Sequence, residues 1–456
     1  MEMKVRDMTR GSAMRLILST ALPLMLGNMF QQMYTIVDAS VVGRGIGLQA
    51  LAALGSADWF NWLFFSIALG FAQGFSIPVA QAFGAKDFDD LRRKAGNAVV
   101  LAMLTAVVIT LIGQLAVTPV LSWMGTPGEV RPMAAAYLRV LFSGIPIVMA
   151  YNLLAGMLRA LGDSQSPLLA MVLSSLVNIL LDSLFVFGFG WEVESAAAAT
   201  VIAQAASCVF CLFRLRSVDF MCLRVEHYVL DRACSLRLMR LGLPISAQNA
   251  VIAVGGMIVQ TVVNRMGVSF IAGYTATNKL YGLLEIAAVS YGYAISTFSG
   301  QNLGARRLDR VRDGVRAGLV SGILTALGIT TAMLIFGRAI LSLFIEESGA
   351  ATLDIALEFL TSMACCLPVL YVLYVYRSAL QGMGNTLMPM VSGIAEFAMR
   401  TGAALMLPSL IGYTGLFWAE VLAWAGADMI LIPSYYRMYA KLIHEGMPDP
   451  EGGIAL

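Results

Sequence analysis

Gln81-Ala82-Phe83-Gly84-Ala85-Lys86 returns 220 residues later as Gln301-Asn302-Leu303-Gly304-Ala305-Arg306, each copy closing the second long apolar segment of its half of the chain. Working outward, Val41-Val42-Gly43-Arg44 matches Val262-Val263-Asn264-Arg265, and Pro23, Pro146 and Pro167 correspond to Pro244, Pro368 and Pro389, at offsets of 220 to 222 residues. Self-similarity at one long period marks a duplicated unit. An even number of chain crossings per copy leaves both copies in the same orientation, related by an axis along the membrane normal.

The segments between these motifs are membrane-like. Of 456 residues, 59% are hydrophobic and 13% charged, against roughly 25% charged in soluble domains. Ala95 to Gly128, Val140 to Leu158, Ser195 to Phe213, Leu241 to Asn264, Ala317 to Gly337 and Phe359 to Tyr376 hold no Asp, Glu, Lys or Arg. About 20 apolar residues suffice to cross a bilayer. Hydropathy places spans near 16-42, 52-80, 95-118, 133-158, 167-189 and 195-215, then 240-263, 270-299, 315-337, 355-380, 387-410 and 416-437. The expected fold is an all-α polytopic membrane protein: twelve transmembrane helices in two pseudo-symmetric six-helix bundles. Its parts are a first lobe over 1-215, a polar linker over 216-239, a second lobe over 240-440 and a tail over 441-456.

Basic residues set the orientation. Lys4, Arg6, Arg10, Arg15, Lys86, Arg92 to Lys94, Arg214 to Arg240 and Arg306 to Arg316 gather on one side, while Glu192, Glu194, Glu346 and Glu347 lie on the other. Both termini are therefore expected in the cytoplasm, with the protein in the plasma (inner) membrane. No cleavable leader is expected, because the first apolar run continues well past the length of one. The scattered positive charge gives no nucleic-acid face. Six cysteines without a second CxxC or a paired histidine read as free thiols, and His227 and His444 fall outside the spans. There is no HExxH and no phosphate loop, so an enzyme is not expected.

A carboxylate deep in a bilayer costs several kcal/mol, which makes each one a functional candidate. Asp38, Asp182, Glu285, Glu396, Arg400, Glu420 and Asp428 fall inside spans. At about 1.5 Å per residue, Asp38, Asp182 and Thr200 lie roughly 6 to 10 Å below the outer face. Asn178 precedes Asp182 by four and shares its helix face. Two carboxylates in a poorly hydrated pocket cannot both stay ionised cheaply, so a proton or a sodium ion would relieve them. The plainer alternative is that Asp182 and Asn178 cap or bridge helices. In the second half, Asn178 maps to Arg400 and Ser174 to Glu396, an i, i+4 couple expected to form an ion pair. Glu285 stands alone and is the candidate for a second coupling site.

Twelve spans in two halves, Pro23 and Asp38 on the first span, Asn178-xxx-Asp182 on the fifth, Thr200 on the sixth and the twin Gln-x-x-Gly-Ala-Lys/Arg loops resemble the multidrug and toxic compound extrusion (MATE) family over almost the whole chain. The resemblance implies a secondary antiporter that exports lipophilic, often cationic, drugs or toxic metabolites in exchange for H+ or Na+ by alternating access. It carries the cation site onto Asp38, Asn178, Asp182 and Thr200, the cavity wall onto Gln31, Tyr34, Tyr137, Asn152 and Met171, and a helix bend onto Pro23. The expected partners are drug-like small molecules and the lipid bilayer; the chain is expected to work as a monomer without cofactor. Family members with an acidic second-lobe site carry a Glu on the seventh span, where this chain has only Gln248 and Asn249. The rival reading is a flippase or exporter of a lipid-linked or endogenous metabolite.

Overall fold

The computed structural model describes residues 5–342 and 350–446; Lys4, Glu346, Glu347 and the last ten residues of the tail lie outside them. Thirteen α-helices follow one another: α1 (Ala13–Gly45), α2 (Leu48–Gly84), α3 (Phe88–Trp123), α4 (Arg131–Ser143), α5 (Ile145–Ala160), α6 (Gln165–Ser183), α7 (Glu194–Arg216), α8 (Arg232–Val263), α9 (Val268–Gly304), α10 (Leu308–Leu341), α11 (Ala350–Gly382), α12 (Leu387–Ile411) and α13 (Thr414–His444). No strand occurs among the described residues. In a bilayer the backbone must satisfy its own hydrogen bonds, and a helix does so within one segment.

Ten of these helices are long and apolar enough to cross a membrane, and α4 with α5, bent by 45° at Gly144, makes an eleventh. The twelfth expected span is α9. Its 37 residues are ample in length, but Lys279, Glu285 and its serines and tyrosines keep it out of that apolar set. Part of that polarity is used internally, since Glu285 accepts a hydrogen bond from Tyr374 of α11 at 2.7 Å. All six cysteines are free.

By contacts the chain divides into a first unit of Met1–Asp7 with Leu22–Ala250 and a second of Met8–Ala21 with Val251–Leu456. This division cuts α1 and α8 in mid-helix, whereas the repeat boundary lies in the linker 216–239. In the first unit α2 packs on α3, α4 and α5, and α6 on α7; in the second, α11 packs on α9, α10 and α13, and α12 on α13. Gln81 Oε1 accepts from Arg237 at 3.2 Å in the first unit, and Gln301 Oε1 accepts the Met8 N–H at 2.8 Å in the second. The repeated glutamine thus holds, in the first unit, the early part of α8 and, in the second, the segment that leads into α1.

The repeated loop folds alike in both copies. Ala85 N–H donates to Gln81 O and Asp87 N–H to Ala82 O; Ala305 donates to Gln301 O and Arg307 to Asn302 O. Lys86 and Arg306 take the left-handed conformation, with φ of 59° and 56°. Such a residue ends a helix by satisfying its last carbonyls, and glycine ordinarily fills the position.

Gly70 and Gly74 serve close approach, as their spacing suggests. A side chain on Gly70 would lie 2.6 Å from the Ser246 backbone, and one on Gly74 would lie 2.4 Å from Gly242 Cα, so the N-terminal half of α8 runs directly against α2. Ser246 Oγ donates to Ile67 O at 2.9 Å and Asn249 Nδ2 to Ser66 O at 3.0 Å, which fixes the register of the pair. Gly74→Leu is expected to destabilise the protein by about 1–3 kcal/mol or more, because the opposing atoms are backbone and cannot rotate away. Gly55→Ala, where nothing stands within 4 Å, should be neutral or stabilising by up to about 1 kcal/mol. Thermal unfolding in detergent measures both.

Candidate ion-coupling site

Two glycines of α1 set the site. A side chain on Gly27 would meet Met171 Sδ at 2.6 Å and Leu168 Cα at 3.4 Å, near the start of α6; one on Gly45 would meet Val186 at 2.2 Å and Phe187 at 2.9 Å, just past its end. The two helices therefore run side by side in the same direction, and Asp38, between the two glycines, comes level with Asp182. The two carboxyl groups lie within interaction distance of each other, and Asp182 also adjoins Asn178. Immediately beyond, Leu184–Gly188 form a π-helical turn, a local widening often found at functional sites.

α7 lies antiparallel on α6. Arg214 Nε donates to Ser166 Oγ at 3.0 Å, Ser207 Oγ to Ala170 O at 2.6 Å, and Asn178 Nδ2 to Thr200 Oγ1 at 3.3 Å. The four residues expected to converge do so, all within the first unit. Asp182 is 0%, Asn178 1% and Asp38 7% exposed. Asp38 Oδ1, both Asp182 oxygens and Asn178 Oδ1 are buried acceptors that receive no hydrogen bond. Leaving buried acceptors unsatisfied costs about 1–3 kcal/mol each, and more when charged. A proton shared by the carboxylates, or a monovalent hard cation among these oxygens, would satisfy them. Among the described residues, no three of His, Cys, Asp and Glu gather into a metal centre.

Tyr34 of α1 and Tyr137 of α4 lie within electrostatic reach of both aspartates, and Gln31 hydrogen-bonds Tyr34. Two other expected wall residues have their own partners. Asn152 turns its amide to Val148 O of its own helix at 2.8 Å, and Met171 lies under Gly27, eleven residues before Asp182. Pro23 lies inside α1, which is helical from Ala13 to Gly45. One residue escaped the sequence reading: Gln204, four after Thr200 on α7, is 5% exposed with Oε1 unpartnered. The Thr200-xxx-Gln204 spacing was the available signal.

Glu285 lies in the second unit. There the expected Glu396–Arg400 pair is present at 2.9 Å and is larger than expected: Arg377 Nη2 binds Glu396 at 2.6 Å and Arg400 Nη2 binds Glu420 at 2.8 Å.

Comparison with known proteins agrees with this architecture. The MatE family model matches the chain twice, over residues 23–184 and 244–402, once in each half. "Probable multidrug resistance protein YoeA" of Bacillus subtilis is 29% identical over 441 residues, 92% of each chain. An "FAD transporter" of Shewanella oneidensis is 22% identical over 86% of each. A solved outward-facing multidrug resistance MATE family transporter superposes with a TM-score of 0.90 at 22% identity, covering 97% of this chain and 99% of the other. With two matched copies spanning most of its length, the chain belongs to the MatE family of multi-pass membrane transporters.

Proposed function

We propose that the protein is a secondary antiporter that exports lipophilic, often cationic, drugs or toxic metabolites in exchange for H+ or Na+, loaded at Asp38, Asn178, Asp182 and Thr200. The carrying observation is the acid pair of the first unit, beside which no counter-cation stands among the described residues. An ion entering from outside neutralises the pair; release on the inner side restores its charge. Occupancy of the cluster and of a drug beside Gln31, Tyr34 and Tyr137 would then compete, and the inward ion gradient would drive the drug out. A membrane potential contributes about 2.3 kcal/mol per charge per 100 mV, enough for a gradient of some tens-fold. The relatives named for multidrug resistance support drugs as the substrate class. The one named for FAD favours an endogenous metabolite as the second reading. On this proposal the transporter works as a monomer in the cell membrane with both termini in the cytoplasm, needing no cofactor beyond the coupling ion. Glu285 is the reserve site for a second ion.

In proteoliposomes with separately imposed sodium and pH gradients, wild-type protein should export a fluorescent lipophilic cation under at least one gradient. Asp38→Asn and Asp182→Asn should each reduce export more than tenfold with expression unchanged; undiminished export by either would end the coupling reading. Asn178→Ala and Thr200→Ala separate the two ions. If sodium is the ligand, each should weaken sodium-driven export several-fold, whereas proton-driven export should fall by less than twofold because the carboxylates alone hold the proton.

A further inference from the structure

The two halves treat one position in opposite ways. Asn178 and Arg400 occupy matched places on α6 and α12, counted from Pro167 and Pro389. Thr200 and Glu420 are each the seventh residue of their helix, α7 from Glu194 and α13 from Thr414. Each matched pair is in contact: Asn178 Nδ2 on Thr200 Oγ1 at 3.3 Å in the first unit, Arg400 Nε on Glu420 Oε2 at 2.9 Å in the second. The acids of the first half have no acidic counterpart, because Asp38 and Asp182 correspond to Val259 and Ala404, both buried. Tyr34, beside the first acid pair, corresponds to Gly255. A side chain there would press on the Phe397 ring at 3.1 Å and stand 3.8 Å from Arg400 Nη1, so glycine leaves room for the guanidinium.

Charge completes the contrast. Beside Asn178 stand two carboxylates and, among the described residues, no cation; around Arg400 stand Glu396 and Glu420, with Arg377 also on Glu396. The second set is neutral as built. Glu285, bound to Tyr374, and Asp428 are further acids of that unit, outside the four-membered set.

We infer that Arg400 is a covalently tethered cation, fixed in the second half at the place where the first half binds its mobile coupling ion, so that this position never exchanges ions. The inference rests on the coupling role proposed for Asp38 and Asp182. Without the guanidinium, Glu420 keeps no cationic partner of its own, and a free cation of matching shape should enter. Burying one partner of an ion pair alone is strongly unfavourable, whereas neutralising both is tolerated.

The test uses the full-length protein in lipid nanodiscs, with methylguanidinium as the probe and the thermal midpoint as the readout. Arg400→Ala should unfold several degrees below wild type, and millimolar methylguanidinium should restore at least half of that loss, saturably. Wild type should not respond. Arg400→Ala/Glu420→Gln should not respond either, which a general effect of the salt would not produce. A folded Arg400→Ala protein that ignores methylguanidinium, or a wild type that responds as strongly, overturns the inference. If Arg400→Ala cannot be isolated folded, Arg400→Lys and Arg400→Met decide it: folding and export kept by lysine alone support a required charge, and equal behaviour of the two overturns it. The same titration on Asp182→Asn/Arg400→Ala keeps the claims apart. The methylguanidinium response should survive there, while the sodium and pH responses of Asp182→Asn alone judge the coupling role of the first unit.

Discussion

An uncompensated pair of carboxylates in an apolar helix bundle is the constraint around which the rest of the molecule is arranged. Asp38 and Asp182 stand side by side, and Asp38 Oδ1, both Asp182 oxygens and Asn178 Oδ1 find no donor. Such a cluster is stable only with a positive visitor, because the bilayer offers neither solvent nor dielectric to spread the charge. On the proposed function, binding and release of that visitor carry a large free-energy difference. A transporter needs such a difference to link two gradients.

Keeping two acids together requires helices that cannot drift apart. The absence of side chains at Gly27 and Gly45 lets α1 lie against both ends of α6, and the hydrogen bonds from Arg214, Ser207 and Asn178 pin α6 to α7 along its length. The same method joins α2 to α8 at Gly70 and Gly74. Close backbone contact in lipid replaces the hydrophobic drive that water supplies elsewhere. The geometry of the acid pair is in this sense a product of what the glycines lack.

Much of this was legible in the residues alone. Charge-free runs of bilayer length mark most of the helices, the repeated hexapeptides mark the duplication, and the Asn178-xxx-Asp182 spacing places two polar groups on one face. Three things were hidden. α9 reads as an ordinary span until Glu285 is seen bonded to Tyr374, a partner 89 positions away. The Glu396–Arg400 pair is local and was visible, but its extension to Arg377 and Glu420 depends on helices that only tertiary packing brings together. The contact division of α1 and α8 in mid-helix leaves no trace in composition, since a helix that changes neighbours halfway keeps one continuous apolar surface.

The loop that ends α2 and its copy after α9 bear on how the chain is made. Lys86 and Arg306 both adopt a backbone shape that costs an L-residue with a Cβ about 1–2 kcal/mol and costs glycine nothing. The same concession is made twice at matched positions, each time with a cation where glycine would relax the backbone. Such a cation resists passage through the membrane during insertion. Each half of the polypeptide thus carries its own cation at the same hairpin, which on the proposed topology would give both halves the same orientation signal.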